Sequence, residues 1–384
     1  MQHWNVPAPA RATERAVRAL ARVESRARHT WSLFDRDRVG LLGSYGTSNV
    51  GDRTFAVVLS RAAASLGTPA VALDYGRVSA REVGGRPLVV GGPANYSFYG
   101  FAGTLGELPS SVALAGVAGR YARGLIPDAA HTFLGRARYV GVRDSQAYAW
   151  LTEVLPGAPV VQHPDLAFAL PAFCPVPPPN LDERVLAISV VPFMARFGQG
   201  RWRPVTEPSK AYKAAKPELA ERSGELAQAY VQLIRRAVGV FCSRGWRVVH
   251  IPFALEDASF VAATMGDSGI EQRPYDPRPG AVLRAVAGCG GILATRFHAH
   301  VYGLAAGVPV FSAPYTDKCD LLMSDLGHTS VYLGPQHWLT APEEALERLT
   351  SEPNALHLSP SEQAAATQKA LAAARAAVEA VTAG

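Results

Sequence analysis

Two consecutive strand-to-helix junctions, in the stretch from Ile292 to Gly327, constrain the fold of this 384-residue chain more than any other feature. An apolar run over residues 292–294 is typical of a buried strand, and it leads through Arg296 and His298 into a helix rich in small residues. The next apolar run leads to Lys318 and a further helix. In an open α/β sheet such junctions line the crevice beyond the carboxyl ends of the strands, where ligands bind. The stretch therefore predicts a ligand site that carries positive charge.

Apolar strand-like runs alternate with helix-like segments along most of the chain, which predicts an α/β fold with mainly parallel, doubly wound sheets. The proline-rich run from Cys174 to Asn180 fits neither a helix interior nor a central strand and predicts a stiff spacer. A chain of this length favours two domains. We expect a helical extension over residues 1–36, a Rossmann-like domain over 37–174, a linker over 175–183, a second Rossmann-like domain over 184–340 and a helical segment over 341–384.

A glycine-rich turn follows the first predicted strand of the first domain. Gly43, Gly46 and Gly51 allow the backbone to turn tightly and to approach a ligand. Asn49 and Asp52 can cap the following helix or bind a substrate hydroxyl, and the sequence leaves both roles open. The spacing of the glycines differs from the dinucleotide-binding fingerprint.

Composition excludes several classes of protein. The net charge of +6 is small for nucleic-acid binding, and a small anionic substrate explains it equally well. The four cysteines have no pairing or metal-type spacing, so we expect reduced thiols and no metal site. The chain has neither a signal-type apolar core nor an apolar run of about 18 residues, which favours a cytoplasmic protein.

Two cationic segments suggest peripheral contacts. A predicted amphipathic helix over residues 13–28 carries arginines on one face, which fits a solvated face better than a dock onto an anionic membrane. The polar segment over residues 192–217 has the length of a functional lid or a flexible insertion. Its cations are consistent with a solvated loop and with contact to a phosphorylated or lipid-linked acceptor. A weak membrane-surface association at the inner face and a homo-oligomer remain open.

Several motifs, in order along the chain, resemble the polysaccharide pyruvyl transferase family, and the resemblance spans about residues 39–335. They are Gly-Ser-Tyr-Gly-Thr-Ser-Asn-Val-Gly-Asp at 43–52, Val-Arg-Asp-x-x-Ala at 142–147, Pro-Asp at 164–165, Thr-Arg-Phe-His-Ala at 295–299, Ala-Gly-Val-Pro-Val at 306–310 and Tyr-x-Asp-Lys at 315–318. The motifs from residue 295 onward are the most specific, whereas the glycine turn alone would be weak.

The resemblance implies a GT-B-like pair of Rossmann-like domains facing across a cleft, with the acceptor side first and the donor side second. It implies transfer of the enolpyruvyl-derived group of phosphoenolpyruvate onto two sugar hydroxyls, which gives a cyclic pyruvate ketal and phosphate. Phosphoenolpyruvate is a co-substrate here, and no further cofactor is implied. The resemblance places the donor-binding residues at Arg296 and Lys318, with Arg196 added if its loop returns to the cleft, and makes Arg143 mainly structural.

His298 titrates near neutrality in its unperturbed state and suits proton donation to the enol carbon. Arginine forks and lysine ammonium groups suit the carboxylate and phosphate of the donor. Candidates for the sugar are Asn49, Asp52, Asn95, Asp165 and Tyr315. Two other classes of function stay open: a glycosyltransferase that uses a nucleotide sugar on the same fold, and a non-catalytic sugar-phosphate binding protein.

Overall fold

The computed structural model describes residues 4–7, 38–92, 101–102, 104–105, 109–118, 128–179, 181–328 and 333–383. The helix expected over residues 13–28 and the acceptor candidate Asn95 lie outside the described residues.

The strands, in chain order, are β1 (Trp4–Asn5), β2 (Val39–Gly43), β3 (Ala70–Asp74), β4 (Leu88–Gly91), β5 (Val112–Val117), β6 (Ala137–Val142), β7 (Val160–Gln162), β8 (Val185–Ser189), β9 (Ala195–Gly198), β10 (Arg201–Pro204), β11 (Arg247–His250), β12 (Glu271–Gln272), β13 (Gly291–Ala294) and β14 (Val310–Ser312). The α-helices are α1 (Val50–Ser65), α2 (Ala80–Val83), α3 (Asp128–Gly135), α4 (Ser145–Val154), α5 (Leu170–Phe173), α6 (Lys210–Ala215), α7 (Pro217–Glu221), α8 (Ser223–Ser243), α9 (Leu255–Met265), α10 (Pro279–Ala287), α11 (Phe297–Ala306), α12 (Lys318–Asp325), α13 (Pro335–Thr340), α14 (Pro342–Thr350) and α15 (Pro360–Thr382). Short 3₁₀ turns cover Leu166–Ala169 and Glu352–Asn354.

Two parallel sheets form the body of the protein. The first has the strand order β3-β2-β4-β5-β6-β7 and the second has the order β12-β11-β8-β13-β14. Every pairing within these two sheets is parallel. Strands such as β2, β8 and β13 are buried at every residue, as expected where helices cover both faces. The expected fold class, α/β with mainly parallel sheets, is confirmed.

One apolar core joins the two domains. It contains one face of the first sheet with α1, one face of the second sheet with α10 and α11, and the alanine-rich face of α15. Hydrogen bonds cross the same boundary, because Val50 N donates to the carbonyl of Phe253 at 2.8 Å and the hydroxyls of Thr54 and Tyr302 lie 2.6 Å apart. The opposite faces of the two sheets have separate cores. A large apolar interface of this kind limits relative motion of the domains.

The segment over residues 192–217 is folded, which corrects the expectation of a lid or flexible insertion. β9 and β10 form a hairpin, and β1 pairs with β10 to complete a small antiparallel sheet. The helix α6 then follows. The sequence hid these strands because each has only four residues and they are joined by a Gly-Gln-Gly turn.

The C-terminal helix α15 returns to the first domain. It begins with a capping box formed by Ser359 and Glu362, and its buried face packs on α1 and on the first sheet. Near its end, the Ser111 hydroxyl donates to the carbonyl of Val381 at 2.8 Å. The first domain is therefore built from both ends of the chain.

Among the described residues, no helix combines the length and apolarity needed to cross a membrane.

Candidate active site

The carboxyl end of β13 is fixed to the neighbouring strand β8 before the site begins. The Thr295 hydroxyl donates to the carbonyl of Ser189 at 2.9 Å and accepts from Val191 N at 3.0 Å and from the Tyr230 hydroxyl at 3.1 Å. Thr295 is fully buried. These bonds hold the backbone from which the next residues, Arg296 to His298, project.

The Arg296 guanidinium binds two carboxylates that follow β11. Its Nε donates to Asp257 Oδ2 at 2.7 Å, its Nη2 also contacts Asp257, and Glu256 lies 3.3 Å away. Although burial alone would lower the pKa of Arg296, Asp257 raises it above its usual range. The side chain is 12% exposed. In the structure the fork of Arg296 is directed at Asp257, and its assignment to the donor stays a prediction.

His298 lies in the first turn of α11 and reaches the first domain. Its ring packs edge-to-face on Phe55 of α1, with the centroids 6.0 Å apart, and its Nε2 lies 3.9 Å from Asp165 Oδ2. Nε2 has no hydrogen-bond partner among the described residues. Burial lowers the pKa of His298 to about 4, although Asp165 opposes the shift. The imidazole is therefore neutral at pH 7 in the unliganded protein.

Arg143 and Asp165 form a buried ion pair beside His298. Arg143 Nη1 donates to Asp165 Oδ2 at 2.6 Å, and the two side chains are 4% and 1% exposed. The guanidinium also lies 4.3 Å from the centre of the Phe297 ring. Burial alone would raise the pKa of Asp165, but Arg143 and His298 together lower it, so the carboxylate stays ionised.

This pair bears on two expectations, both of which stay predictions. Asp165 was expected to bind the acceptor, but its carboxylate is buried and holds Arg143 and the amide of Ala167. Arg143 was expected to be mainly structural, yet its charge acts on Asp52, His298 and Lys318. Arg143 therefore belongs to the electrostatic environment of the site as well as to the core.

Lys318 and Asp52 complete the group from opposite domains. Lys318 begins α12 and is exposed to solvent. The protein around its ammonium group nevertheless lowers its pKa, first through burial and then through the charge of Arg143. Asp52 is half-buried in the first turn of α1. Burial raises its pKa to about 6 against the opposing charges of Arg143, Arg296 and Lys318. Two weakly basic groups, Asp52 and His298, thus share one region with two cations.

The glycine turn before α1 fits tightly against the second domain. A Cβ atom at Gly51 would lie 1.9 Å from His298 Nδ1, so only glycine allows this approach. The Asn49 side chain accepts from Gly51 N at 3.0 Å and caps α1. The Asn49 side-chain carbonyl is thus engaged in the helix cap, and the assignment of Asn49 to the acceptor stays a prediction. Ser48 donates to Glu256 at 2.8 Å and so links the turn to the carboxylates at Arg296.

Two remaining candidates lie toward the rim of the site. Tyr315 is half-buried, and its ring lies 5.5 Å from that of Phe193. Burial raises its pKa, and the charges of Arg296 and Asp52 act on it, which places it near the group described above. Arg196 is exposed on β9 and lines a separate groove on the hairpin. The structure does not bring Arg196 into the group, and its assignment to the donor stays a prediction.

Sequence reasoning missed the partners of the arginines. Glu256 and Asp257 follow β11 directly, so their place at the carboxyl edge of the sheet was readable, but their pairing with Arg296 was not. Within the described part of the chain, no group of three or more His, Cys, Asp or Glu residues is arranged to hold a metal ion.

A model of the polysaccharide pyruvyl transferase family matches residues 107–317, which is more than half of the chain. The chain belongs to this family. The matched region contains Arg143, Asp165, Arg296 and His298 and ends one residue before Lys318. The chain is thus a transferase, and the family indicates a glycan acceptor.

Two solved structures are similar to the pyruvyl transferase at low identity. An α,α-trehalose 6-phosphate synthase from Burkholderia multivorans shares 13% identity with a TM-score of 0.39, over 84% of this chain and 72% of that one. A UDP-forming α,α-trehalose-phosphate synthase from Burkholderia vietnamiensis shares 13% identity with a TM-score of 0.36, over 85% and 73%. These values support no statement about the site. A comparison with curated proteins finds no significant match.

Proposed function

We propose that the pyruvyl transferase uses phosphoenolpyruvate as its donor and forms a pyruvate ketal on two hydroxyls of a sugar. The observation that carries this proposal is the convergence of two cations, Arg143 and Lys318, with two groups able to move protons, His298 and Asp52. Phosphoenolpyruvate carries a carboxylate and a phosphate, and a pocket with two cations matches both.

The first bond forms when one hydroxyl oxygen of the sugar attacks C2 of the donor while C3 takes up a proton. Asp52, with its raised pKa, accepts the hydroxyl proton. His298 is neutral in the free protein, and the negative charge of a bound donor favours its protonated form, which then delivers the proton to C3.

The second bond forms after the C–O bond to phosphate breaks and leaves a cationic C2. The second hydroxyl oxygen attacks this carbon, and its proton goes to the departing phosphate, so one phosphoenolpyruvate and one diol give one ketal and one phosphate. Lys318 binds the phosphate as its charge develops, and Arg143, held by Asp165, stabilises that charge from the interior without direct contact. Arg296 acts indirectly, because its pairing with Asp257 fixes the strand end that carries His298.

Incubation with phosphoenolpyruvate and a panel of sugar acceptors, with phosphate release as the readout, tests the proposal. Arg143→Gln should lower phosphate release by about a hundredfold or more, whereas Arg61→Gln on the exposed face of α1 should leave it unchanged. Phosphoenolpyruvate should also stabilise the folded protein and so raise its melting temperature. At about one hundred times its dissociation constant, the free energy of unfolding should rise by about 2.7 kcal/mol. Absence of both thermal protection and phosphate release would reject the donor. Release of a nucleoside diphosphate from a nucleotide sugar would instead establish a glycosyltransferase.

A further inference from the structure

The hairpin of β9 and β10 presents three arginines on one face. The register places Arg203 opposite Arg196 and Arg201 opposite Gly198. Because directly opposed residues, and residues two apart on one strand, share a face of a sheet, these three arginines point to the same side. Arg196 and Arg203 are exposed and Arg201 is half-buried.

The other face of the hairpin anchors it. Trp202 is 5% exposed and packs edge-to-face on Phe260 of α9, with the centroids 5.4 Å apart. Trp4 of β1 pairs with Trp202 and also contacts Phe260. The turn at Gln199 and Gly200 has positive φ at both residues, as a tight type I′ hairpin turn requires. The arginines are therefore held by a rigid element and not by a loop.

The three guanidinium groups have no carboxylate partner in the part of the chain that the structure describes. Arg203 donates to the Gln199 side chain at 2.9 Å, and among the described residues none of the three has a carboxylate within 4.0 Å. Exposed arginines elsewhere in the second domain do pair, as Arg235 does with Asp267 and Arg236 with Glu343. The described residues thus leave the charge on the hairpin uncompensated.

These arginines line a groove of about 690 Å³, which we call the arginine groove and define by Arg196, Arg201, Arg203, Gln199, Pro204 and Glu207. Its volume lies within the usual range of ligand sites, roughly 300–1,000 Å³. Glu207 is the single carboxylate among the residues that line it, so the groove keeps a net positive charge.

The base of the hairpin lies beside the candidate active site. Val205 N donates to the carbonyl of Met194 at 2.8 Å and closes the hairpin, and the preceding residue, Phe193, contacts Tyr315. Lys216, which follows the hairpin and α6, binds Asp317 at 2.6 Å, next to Lys318. Arg196 follows Phe193 by three residues, across a turn in which Met194 has a positive φ. The groove therefore begins a few residues along the chain from the rim of the site.

We propose that the arginine groove is a second anion site, which binds a phosphate or diphosphate group carried by the acceptor sugar. This inference rests on the proposed function, since it names the chemical class of the acceptor. Guanidinium groups bind phosphate oxygens through paired hydrogen bonds, and three of them on one face match a diphosphate. A neutral glycan would gain nothing from three unpaired charges. The phosphate belongs to a soluble sugar phosphate or to a lipid-linked sugar, and binding of a lipid headgroup is an outcome of the test that would overturn this assignment.

The binding test uses inorganic diphosphate and the full chain, measured by titration calorimetry. The triple variant Arg196→Gln, Arg201→Gln, Arg203→Gln should bind diphosphate roughly tenfold or more weakly than the wild type. The matched control, Arg222→Gln, Arg235→Gln, Arg236→Gln on α8, removes the same charge and should bind as the wild type does. Equal loss of affinity in both triple variants would show a general charge effect and would overturn the proposal, and so would no loss in the groove variant.

The kinetic test compares a phosphorylated sugar acceptor with its dephosphorylated form. The wild type should prefer the phosphorylated form in kcat/KM by roughly tenfold or more, mainly through KM, and the groove variant should lose this preference. An equal preference in both proteins would overturn the proposal while leaving the donor assignment intact. If phosphoenolpyruvate supports no turnover with any acceptor, the proposed function fails, and diphosphate binding still reports on the groove.

Vesicles distinguish the membrane from a substrate. Sedimentation with phosphatidylglycerol vesicles, in the presence and absence of millimolar inorganic diphosphate, should show no binding that depends on the groove arginines. Groove-dependent vesicle binding that diphosphate does not compete would assign the surface to lipid headgroups and overturn the acceptor proposal.

Discussion

The candidate active site and the arginine groove differ in whether their arginines are paired with carboxylates. In the active site each arginine is committed: Arg143 to Asp165 and Arg296 to Asp257, both largely buried. In the groove the arginines are accessible and have no carboxylate partner among the described residues. The protein orders the first set of charges before a ligand arrives, which favours catalysis. It leaves the second set to be completed by the ligand, which favours recognition.

The sharpest way to break this comparison is to remove the proton-transfer group. His298→Gln should lower phosphate release by about 10²–10⁴-fold, because general acid–base catalysis typically contributes that much. The matched control is His300→Gln, two residues along the same helix, where the ring contacts the Arg296 carbonyl and Ser312, each at 2.8 Å. The control should lower the melting temperature and leave the turnover of the folded protein close to that of the wild type. Turnover of His298→Gln within a few-fold of the wild type would remove His298 from the mechanism.

The buried ion pair should matter next, through stability. Asp165→Ala leaves Arg143 charged and unpaired in the interior, which should lower the free energy of unfolding by about 3–5 kcal/mol. Asp267→Ala breaks the exposed pair with Arg235 and should cost about 0.2–1 kcal/mol. Urea denaturation of both variants gives the two values. Similar costs would mean that the Arg143 pair is more solvated than its burial implies.

Gly51 tests how closely the two domains meet at the site. Gly51→Ala places a methyl group against His298 and should destabilise the protein by about 1–3 kcal/mol, with a loss of turnover. Gly239→Ala is a suitable control because it lies exposed in α8 with open space around it, and it should stabilise the protein by about 0.5–1 kcal/mol. Thermal unfolding distinguishes the two signs. Stabilisation by Gly51→Ala would show that the contact with His298 is loose.

The raised pKa of Asp52 predicts the acid limb of the pH profile. Because its carboxylate must be ionised to accept a proton, kcat/KM should fall about tenfold for each pH unit below about 6. The effect of Asp52 on stability has the opposite pH dependence, because its pKa is higher in the folded protein than in the unfolded chain. The stabilisation from this carboxyl group is present at pH values below its unfolded-state pKa and is lost as the pH rises through about 6. Asp52→Asn should lower the rate and remove the limb, and an unchanged limb would assign it to another group.

The groove should give the smallest effect on stability. Arg203→Gln removes an exposed charge whose one described contact is a side-chain amide, so the free energy of unfolding should change by less than about 0.5 kcal/mol. Urea denaturation measures it. A loss above about 1.5 kcal/mol, comparable with a buried hydrogen-bonded charge, would place Arg203 in the framework with Arg143.

The sequence predicted the parts of this molecule that depend on local pattern. Apolar runs, helix caps and the rule for strand ends were enough to place Arg296, His298 and Lys318 at one edge of the second sheet. Contacts between residues distant in sequence could not be predicted. Asp165 precedes His298 by more than a hundred positions. Arg296 and Asp257 follow two strands that are separated by a third strand in the sheet.

The sequence did not predict the hairpin of β9 and β10 for a related reason. Its strands are short and arginine-rich, and the apolar surface that fixes them comes from Trp4, almost two hundred positions earlier, and from Phe260. A polar segment of this kind resembles a loop until its partners are known. For the same reason, the sequence did not distinguish the arginines that pair with buried carboxylates from the exposed arginines of the groove.

The return of α15 to the first sheet has a consequence for how the protein is made. The last strand of that sheet, β7, ends at Gln162, and α15 begins at Pro360, so about 200 residues separate the sheet from its cover. At translation rates of about 5–20 residues per second, the uncovered apolar face waits roughly 10–40 s on the ribosome. Exposed sheet faces of this kind are where chaperones act on nascent chains. The first domain closes only when α15 has emerged, so a message truncated before residue 360 yields a chain whose earlier-made half stays open.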